Sequence, residues 1–470
     1  MATPSPRPLP THTLLALALG GLAGLALVIF AAGGSGPGAA HSIEIGIDGV
    51  PTRMARDLLL PPHGWTLQIA LDPRPEAGVL SELVVELREE RTGMTIEVQD
   101  QLVDRDGFST FPIPESLGIR EGLLAVRAQA TFADGSVAED WRRLRIRPWL
   151  GGPPIGTRQI IQYDFTVDRD GDGRADFEQD LETLGLATGD HPDLAKLAAA
   201  RIAARALARV ERAYDVSGDP NRTGLERDPV AVRFQLTPPG LEVERPFTTR
   251  ICVGGSDPAH PGSVGHVRFD PRNSLRASTE CSGKETAGLF PGELGRYRES
   301  ALFREVLGPF DARAGGKPLG SDPDDRRWLE EHAVANELNV PEPTRKSEAD
   351  ATTDPIRREQ IGRAIRVLGD VLGTLMAHET GHALGLVAPG KPGAGLFGGE
   401  TGEAFAHAVT PDGEPAAGPS LMDPGRSLRF EDLAGAGATG ELRFRPIDYA
   451  YLRDRLVLSE KAHTGAIPPE

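Results

Sequence analysis

Along residues 42–148 apolar and polar positions alternate with a period of two. Ser42-Ile43-Glu44-Ile45-Gly46-Ile47 does so, as do Glu82-Leu83-Val84-Val85-Glu86-Leu87 and Thr95-Ile96-Glu97-Val98. The run 124–132 meets Ala133-Asp134-Gly135-Ser136 and is answered by 141–147, which is the pattern of a hairpin. Short alternating strands punctuated by Gly, Pro and Asp predict an all-β sandwich over residues 42–150. Nothing in that stretch suggests catalysis, so it reads as an accessory domain, with a propeptide as the alternative. Gly151-Gly152-Pro153-Pro154 marks a boundary, and residues 156–470 form the next domain.

Beyond the boundary the period changes. Residues 160–165 predict a strand, and 230–236 and 248–253 predict two more. Residues 192–214 predict a helix, with Pro192 at its start and Gly218 past its end. Ile356, Ile361, Ile365, Leu368, Leu372 and Leu375 recur at spacings near three and four, which defines one long amphipathic helix. That helix runs into His378-Glu379-Thr380-Gly381-His382. Positions i and i+4 share a helix face, so both imidazoles can reach one metal ion. Glu379, held beside them, can take a proton from a metal-bound water. Gly385 is placed to stop the helix and turn the chain back toward the metal.

These residues continue as Ala383-Leu384-Gly385-Leu386, and Ser420-Leu421-Met422-Asp423-Pro424 follows downstream. Together the two segments resemble the metzincin clan of zinc proteases, most closely its matrixin-like branch. The resemblance covers about the last hundred residues. It implies an α+β fold, a zincin catalytic domain made of a twisted sheet and an active-site helix, here preceded by the β-sandwich. It further implies a zinc endopeptidase acting on protein or peptide substrates. Glu379 would then be the catalytic residue, His378 and His382 zinc ligands, and Met422 the methionine of a supporting turn beneath the zinc.

The chain departs from the clan's signature at one place: a third histidine is expected three residues after Gly385, where Ala388 stands. Only His407 and His463 follow His382, and His463 lies in a polar tail. Residues 389–402 therefore read as an insertion that delays the third zinc ligand to His407. Glu400 or Glu403 is the rival, as a carboxylate ligand. With none of the three in place the site would be two-coordinate and inactive. The chain would then be a protease-fold protein acting as an extracellular binding or surface-attachment module.

Charge narrows the partners. Lys and Arg number 51 against 68 Asp and Glu, a net charge of −17, which excludes nucleic acid as a general partner because phosphate binding needs clustered positive charge. Residues 14–32 carry no charge, and Gly33-Gly34-Ser35-Gly36-Pro37-Gly38 follows. Residues 1–40 thus read as a signal peptide, with Ala39-Ala40 as a small-residue cleavage site, or as a membrane anchor. Either way the remainder lies outside the cytoplasm, secreted or tethered, with the membrane a partner only through that segment. There the two cysteines, Cys252 and Cys281, are able to form a disulfide. Neither lies in the N-terminal part, so a zinc-blocking thiol there is excluded.

A second constellation is Asp168-Arg169-Asp170-Gly171-Asp172-Gly173-Arg174-Ala175-Asp176. Alternate carboxylates around a Gly turn can wrap calcium, with Asp168, Asp170, Asp172 and Asp176 as ligands. The twelfth position, which in the helix-loop-helix version carries a bidentate Glu, is Gln179. A single extracellular-type calcium loop is expected, with a solvated acidic turn as the alternative. Its role would be to stiffen the link between strand and helix.

Overall fold

The computed structural model describes residues 41–47, 59–62, 64–72, 80–99, 108–113, 117–146, 159–214, 232–237, 248–257, 260–267, 288–330, 355–386, 419–423, 425 and 427–455. The N-terminal segment 1–40 and the Gly151–Pro154 boundary lie outside these residues. So do Gly218, Cys281, Ala388, Glu400, Glu403, His407 and His463. Among the described residues, no helix is long and apolar enough to cross a membrane.

The alternating stretches are strands. β4 (Leu80–Glu89) pairs antiparallel with β5 (Thr95–Gln99), Leu87 facing Ile96, and with β7 (Gly122–Phe132), Leu83 facing Ala130. With β2 (Leu59–Leu60) and β8 (Val137–Ile146) they form a five-stranded sheet in the order β2-β8-β7-β4-β5. A period of two puts Leu83, Val85 and Leu87 on one face with Leu124, Val126, Ala128 and Ala130, all buried. The other face carries charge, including the ion pairs of Arg127 with Glu86 and Glu139. The β7–β8 turn is closed by Asp134, whose Oδ1 accepts from Ser136 N and Oγ at 2.8 and 2.6 Å. A three-stranded sheet, β1-β3-β6, comprises β1 (Ser42–Ile47), β3 (Thr66–Asp72) and β6 (Phe108–Pro112).

By internal contacts the chain divides into two units. One comprises Met1–Ile45, Gln68–Thr110 and Leu124–Arg143; the other comprises Gly46–Leu67, Phe111–Leu123 and Leu144–Glu470. The division passes through strands β1, β3, β6, β7 and β8.

In the larger unit β9 (Gln159–Asp164) is the centre of a parallel three-stranded sheet, between β10 (Val232–Leu236) and β11 (Thr248–Cys252). Helix α1 (Asp176–Thr183) follows the acidic loop, and α2 (Pro192–Tyr214) follows with Pro in its first turn. α2 buries Ala195, Ala198, Ile202, Ala206 and Val210 as one stripe and packs along α4 (Pro355–Ala383). The small alanines let two long helices lie close, and the rim of the contact carries a bidentate pair between Arg205 and Asp370 at 2.9 and 2.8 Å. Beyond β11 come a two-stranded antiparallel ribbon, β12 (Gly265–His266) with β13 (Gly288–Leu289), and α3 (Ala301–Leu307). The turn 420–423 leads to α5 (Phe430–Leu433) and α6 (Pro446–Arg455).

Candidate metal centre

His378, Glu379 and His382 occupy the last two turns of α4, where the whole helix surface is buried. The helix ends as its glycine suggests: Gly385 sits at φ +82°, its N–H reaching His382 O, while Leu386 N–H reaches Gly381 O at 2.9 Å. One helical turn apart, the imidazoles bring their Nε2 atoms to 3.1 Å from each other. Two nitrogens each about 2.0–2.1 Å from one tetrahedral zinc lie roughly 3.4 Å apart, so this separation fits a shared cation.

The ring of His378 is fixed from behind. Its Nδ1–H donates to Leu421 O at 2.6 Å, which leaves Nε2 as the lone-pair nitrogen of the neutral ring. Burial pushes this histidine below its ordinary pKa, and the hydrogen bond to Leu421 only partly opposes that. Neutral imidazole is the form that binds metal. Met422 comes up beneath the same helix: a Cβ on Gly381 would stand 2.5 Å from Met422 Sδ, so a larger residue there would displace the methionine. The residue between, Thr380, is tied to the sheet by a 2.7 Å hydrogen bond between its Oγ1 and the Tyr163 hydroxyl.

The turn that delivers Leu421 and Met422 has its own lock. Asp423 Oδ2 accepts from Ser420 N at 2.9 Å, and Arg445 Nη2 lies 3.0 Å from Asp423 Oδ1, with both side chains buried. Leu421 N also donates to Arg443 O, so the turn is bound to the segment entering α6.

Glu379 lies against the ribbon. Its carboxylate accepts from the N–H of Val267, and burial pushes its pKa up to about 8 despite that donor. A Cβ on Gly265 would stand 2.4 Å from Glu379 Oε1, so the carboxylate lies directly against the β12 backbone. Burial thus brings this carboxyl's pKa close to neutral pH, the range in which a side chain exchanges protons readily.

The structure therefore brings His378, Glu379, His382 and Met422 together. The third ligand position, assigned by sequence to His407 with Glu400 and Glu403 as rivals, lies outside the described residues. Cys252, buried at the end of β11, is disulfide-bonded. Its expected partner, Cys281, is outside them.

In the acidic loop Asp168, Asp170 and Asp176 bring carboxylate oxygens within 4.8 Å of one another; Asp172 is not in that group. Asp168 caps the turn, accepting from Gly171 N at 2.7 Å and Gly173 N at 2.8 Å, and these bonds hold its pKa below the usual range. Asp172 instead accepts from Gln179 Nε2 at 3.0 Å, which accounts for the glutamine at the twelfth position. Asp176 is buried against Arg169, and Asp180, also buried, accepts from Gly255 N and is pushed up to about 7 by burial.

A cluster absent from the sequence reading is Asp257, His260 and His266, whose ligand atoms lie within 4.8 Å of one another. Both Nδ1 atoms approach the same oxygen, Asp257 Oδ2, at 2.7 and 3.2 Å. The sequence signal was there, two histidines three and nine residues after an aspartate. Both precede His382, whereas the third ligand expected for the His378–His382 pair lies downstream of it.

Comparison with known proteins gives no family and no function. No family model and no characterised protein matches the chain. Among solved structures, CopC from Methylosinus trichosporium OB3b is 16% identical at a TM-score of 0.15, over 19% of this chain and 80% of that one. A superoxide reductase (neelaredoxin) from Ignicoccus hospitalis is 11% identical at 0.17, over 23% and 84%. A polysaccharide deacetylase from Bacillus cereus is 12% identical at 0.15, over 31% and 42%. Similarity at that level carries no argument about fold or activity.

Proposed function

We propose that this chain is an exported zinc-dependent endopeptidase of the metzincin type, hydrolysing peptide bonds in protein substrates. The observation that carries the reading is the 3.1 Å approach of the His378 and His382 Nε2 atoms, with the His378 tautomer set by Leu421 O. Zinc in that position would supply Lewis acidity toward a carbonyl oxygen and toward water. The chain's own residues supply the rest. His378 and His382 hold the cation from one helix face. Met422 and Gly381 close the floor beneath them. Glu379, one residue from His378 and gripped by the ribbon, takes the proton of the attacking water and passes it to the leaving amine.

His407 is proposed as the third ligand. The chain, purified and loaded with zinc, is expected to cleave unfolded protein, and His407→Ala should lower zinc affinity at least tenfold and abolish most of the activity. His463→Ala should change neither. An active, zinc-replete His407→Ala variant would move the ligand role to Glu400 or Glu403. Zinc-free, inactive wild-type protein would favour the alternative, a binding module built on an inactive protease fold.

For the loop, calcium held by Asp168, Asp170 and Asp176 is proposed to brace the entry to α1. Adding a calcium chelator is then expected to lower Tm by several degrees, and Asp170→Ala to remove that response. A melting curve indifferent to calcium would leave the loop as a turn held by its own hydrogen bonds.

A further inference from the structure

The outer face of the five-stranded sheet carries an aromatic ring that the core does not use. A period of two sends Ala138, Leu144 and Ile146 of β8 inward and leaves Glu139, Trp141 and Arg143 toward solvent. Trp141 is 53% exposed, whereas Trp65 and Trp328 are buried. Its ring is nevertheless fixed. The indole N–H donates to Glu139, and the guanidinium of Arg127 on β7 lies over one ring face, 5.4 Å from the centroid. Arg127 is held in turn. Its Nε donates to Glu139 Oε1 at 2.9 Å and its Nη2 to Gln129 Oε1 at 3.0 Å, while Nη1 lies 3.7 Å from Glu86 Oε2, opposite it in register on β4. With one ring face over the guanidinium, the face open to solvent is the other. Partly exposed ion pairs of this kind add little to stability. What they do is hold an aromatic platform in one orientation before any ligand arrives, which lowers the ordering cost of binding.

The surroundings of the ring narrow the ligand. Arg127 and Arg143 are matched by Glu86, Glu139 and Glu90, the last 2.6 Å from Arg143, so this face has no positive excess for nucleic acid or an anionic membrane. A cationic ligand would compete with Arg127 for the same ring electrons. A protein partner needs about 800 Å² of surface on each side, whereas one tryptophan supplies about 150–250 Å². Leu123 and Val137, the exposed large apolar side chains that flank it on β7 and β8, stand at strand ends, so the apolar contact is one ring wide. A neutral sugar fits that footprint. Its C–H face stacks on an indole, and its hydroxyls both donate and accept. The carboxylate, guanidinium and amide groups beside the ring offer the complementary acceptors and donors in planar pairs.

We propose that Trp141, with Arg127, Gln129 and Glu139 beside it, forms a binding site for a neutral polysaccharide on the outer face of the sheet. The site stands whether or not the His378–His382 centre is a peptidase.

The test uses the full chain carrying Glu379→Gln, so that hydrolysis does not disturb the measurement. Cosedimentation with cellulose, chitin and starch is measured first, then calorimetry with cellohexaose, chitohexaose and maltohexaose. At least one polysaccharide is expected to carry the protein down, and its hexasaccharide to bind in solution. Trp141→Ala should weaken that binding at least tenfold at unchanged Tm, since the side chain is exposed. Trp141→Tyr keeps a stacking ring and should retain part of the affinity, whereas Trp141→Leu, apolar without a ring, should lose it as alanine does. Binding to none of the three polysaccharides, or binding that Trp141→Ala leaves unchanged, would overturn the site. Equal affinity in the Leu and Tyr variants would overturn the stacking. Trp141-dependent binding to phosphatidylserine vesicles with no sugar bound would assign the ring to a membrane surface and overturn the proposal likewise.

Discussion

Replacing Glu379 by Gln is expected to reduce kcat against an unfolded protein such as casein by about 10²–10⁴-fold, the usual worth of a general base. Zinc content should stay at the wild-type level. The amide keeps the size of the carboxylate and an oxygen to accept from Val267 N–H, so the contact with β12 survives. What it loses is the ability to take a proton. His378 and His382 are untouched, and the tautomer of His378 is set by Leu421 O, not by Glu379. The signature of the mechanism is therefore a fall in kcat at constant zinc and near-constant KM. Hydrolysis by the Gln variant at the wild-type rate would end the assignment of Glu379 as base. Loss of zinc together with activity would make the residue a structural support instead.

Arg445→Met is expected to cost about 3–5 kcal/mol of stability, since it strands one partner of a buried ion pair. Asp423 has no exposed surface, and burial already pushes its carboxyl up to about 6 against the pull of Arg445. Without the guanidinium that carboxylate must ionise uncompensated or take up a proton. Either outcome loosens the turn 420–423 and with it the Leu421 carbonyl behind His378. Denaturant unfolding would read the loss directly, and zinc affinity should fall alongside it. Asp423→Asn retains an acceptor for Ser420 N, so in the Arg445→Met background it should recover part of the stability. No recovery would show that Arg445 acts through packing and not through charge.

Much of the chain was legible as pattern. Period-two alternation located β1, β4, β5, β7 and β8, because a strand with one buried face writes its register into the sequence. The predicted helix at 192–214 has those bounds as α2, and the 356–375 stripe became the body of α4. The strands β3 and β6 escaped the reading. β6, Phe-Ser-Thr-Phe-Pro, is short and ends on a proline, so its signal is scarcely above that of a turn. The grouping of strands into contact units was likewise invisible, since it depends on which distant segments meet and not on local period.

For the candidate site, residue type and spacing determined that His378 and His382 share a face, that Glu379 lies between them and that Gly385 ends the helix. Those are consequences of 3.6 residues per turn and of glycine's tolerance of positive φ. The tertiary structure alone decided what surrounds them. The carbonyl of Leu421 selects the nitrogen of His378 that carries the proton, 43 residues on in the chain. Tyr163 reaches Thr380 across 217 residues, and the β12 backbone meets the carboxylate of Glu379. Likewise, Asp257 gathers two histidines only because the loop after β11 folds back on itself. Helix geometry is local and repeats, so sequence carries it. Hydrogen bonds and desolvation between segments far apart exist only once the chain has packed, and they set the protonation and orientation on which the chemistry depends.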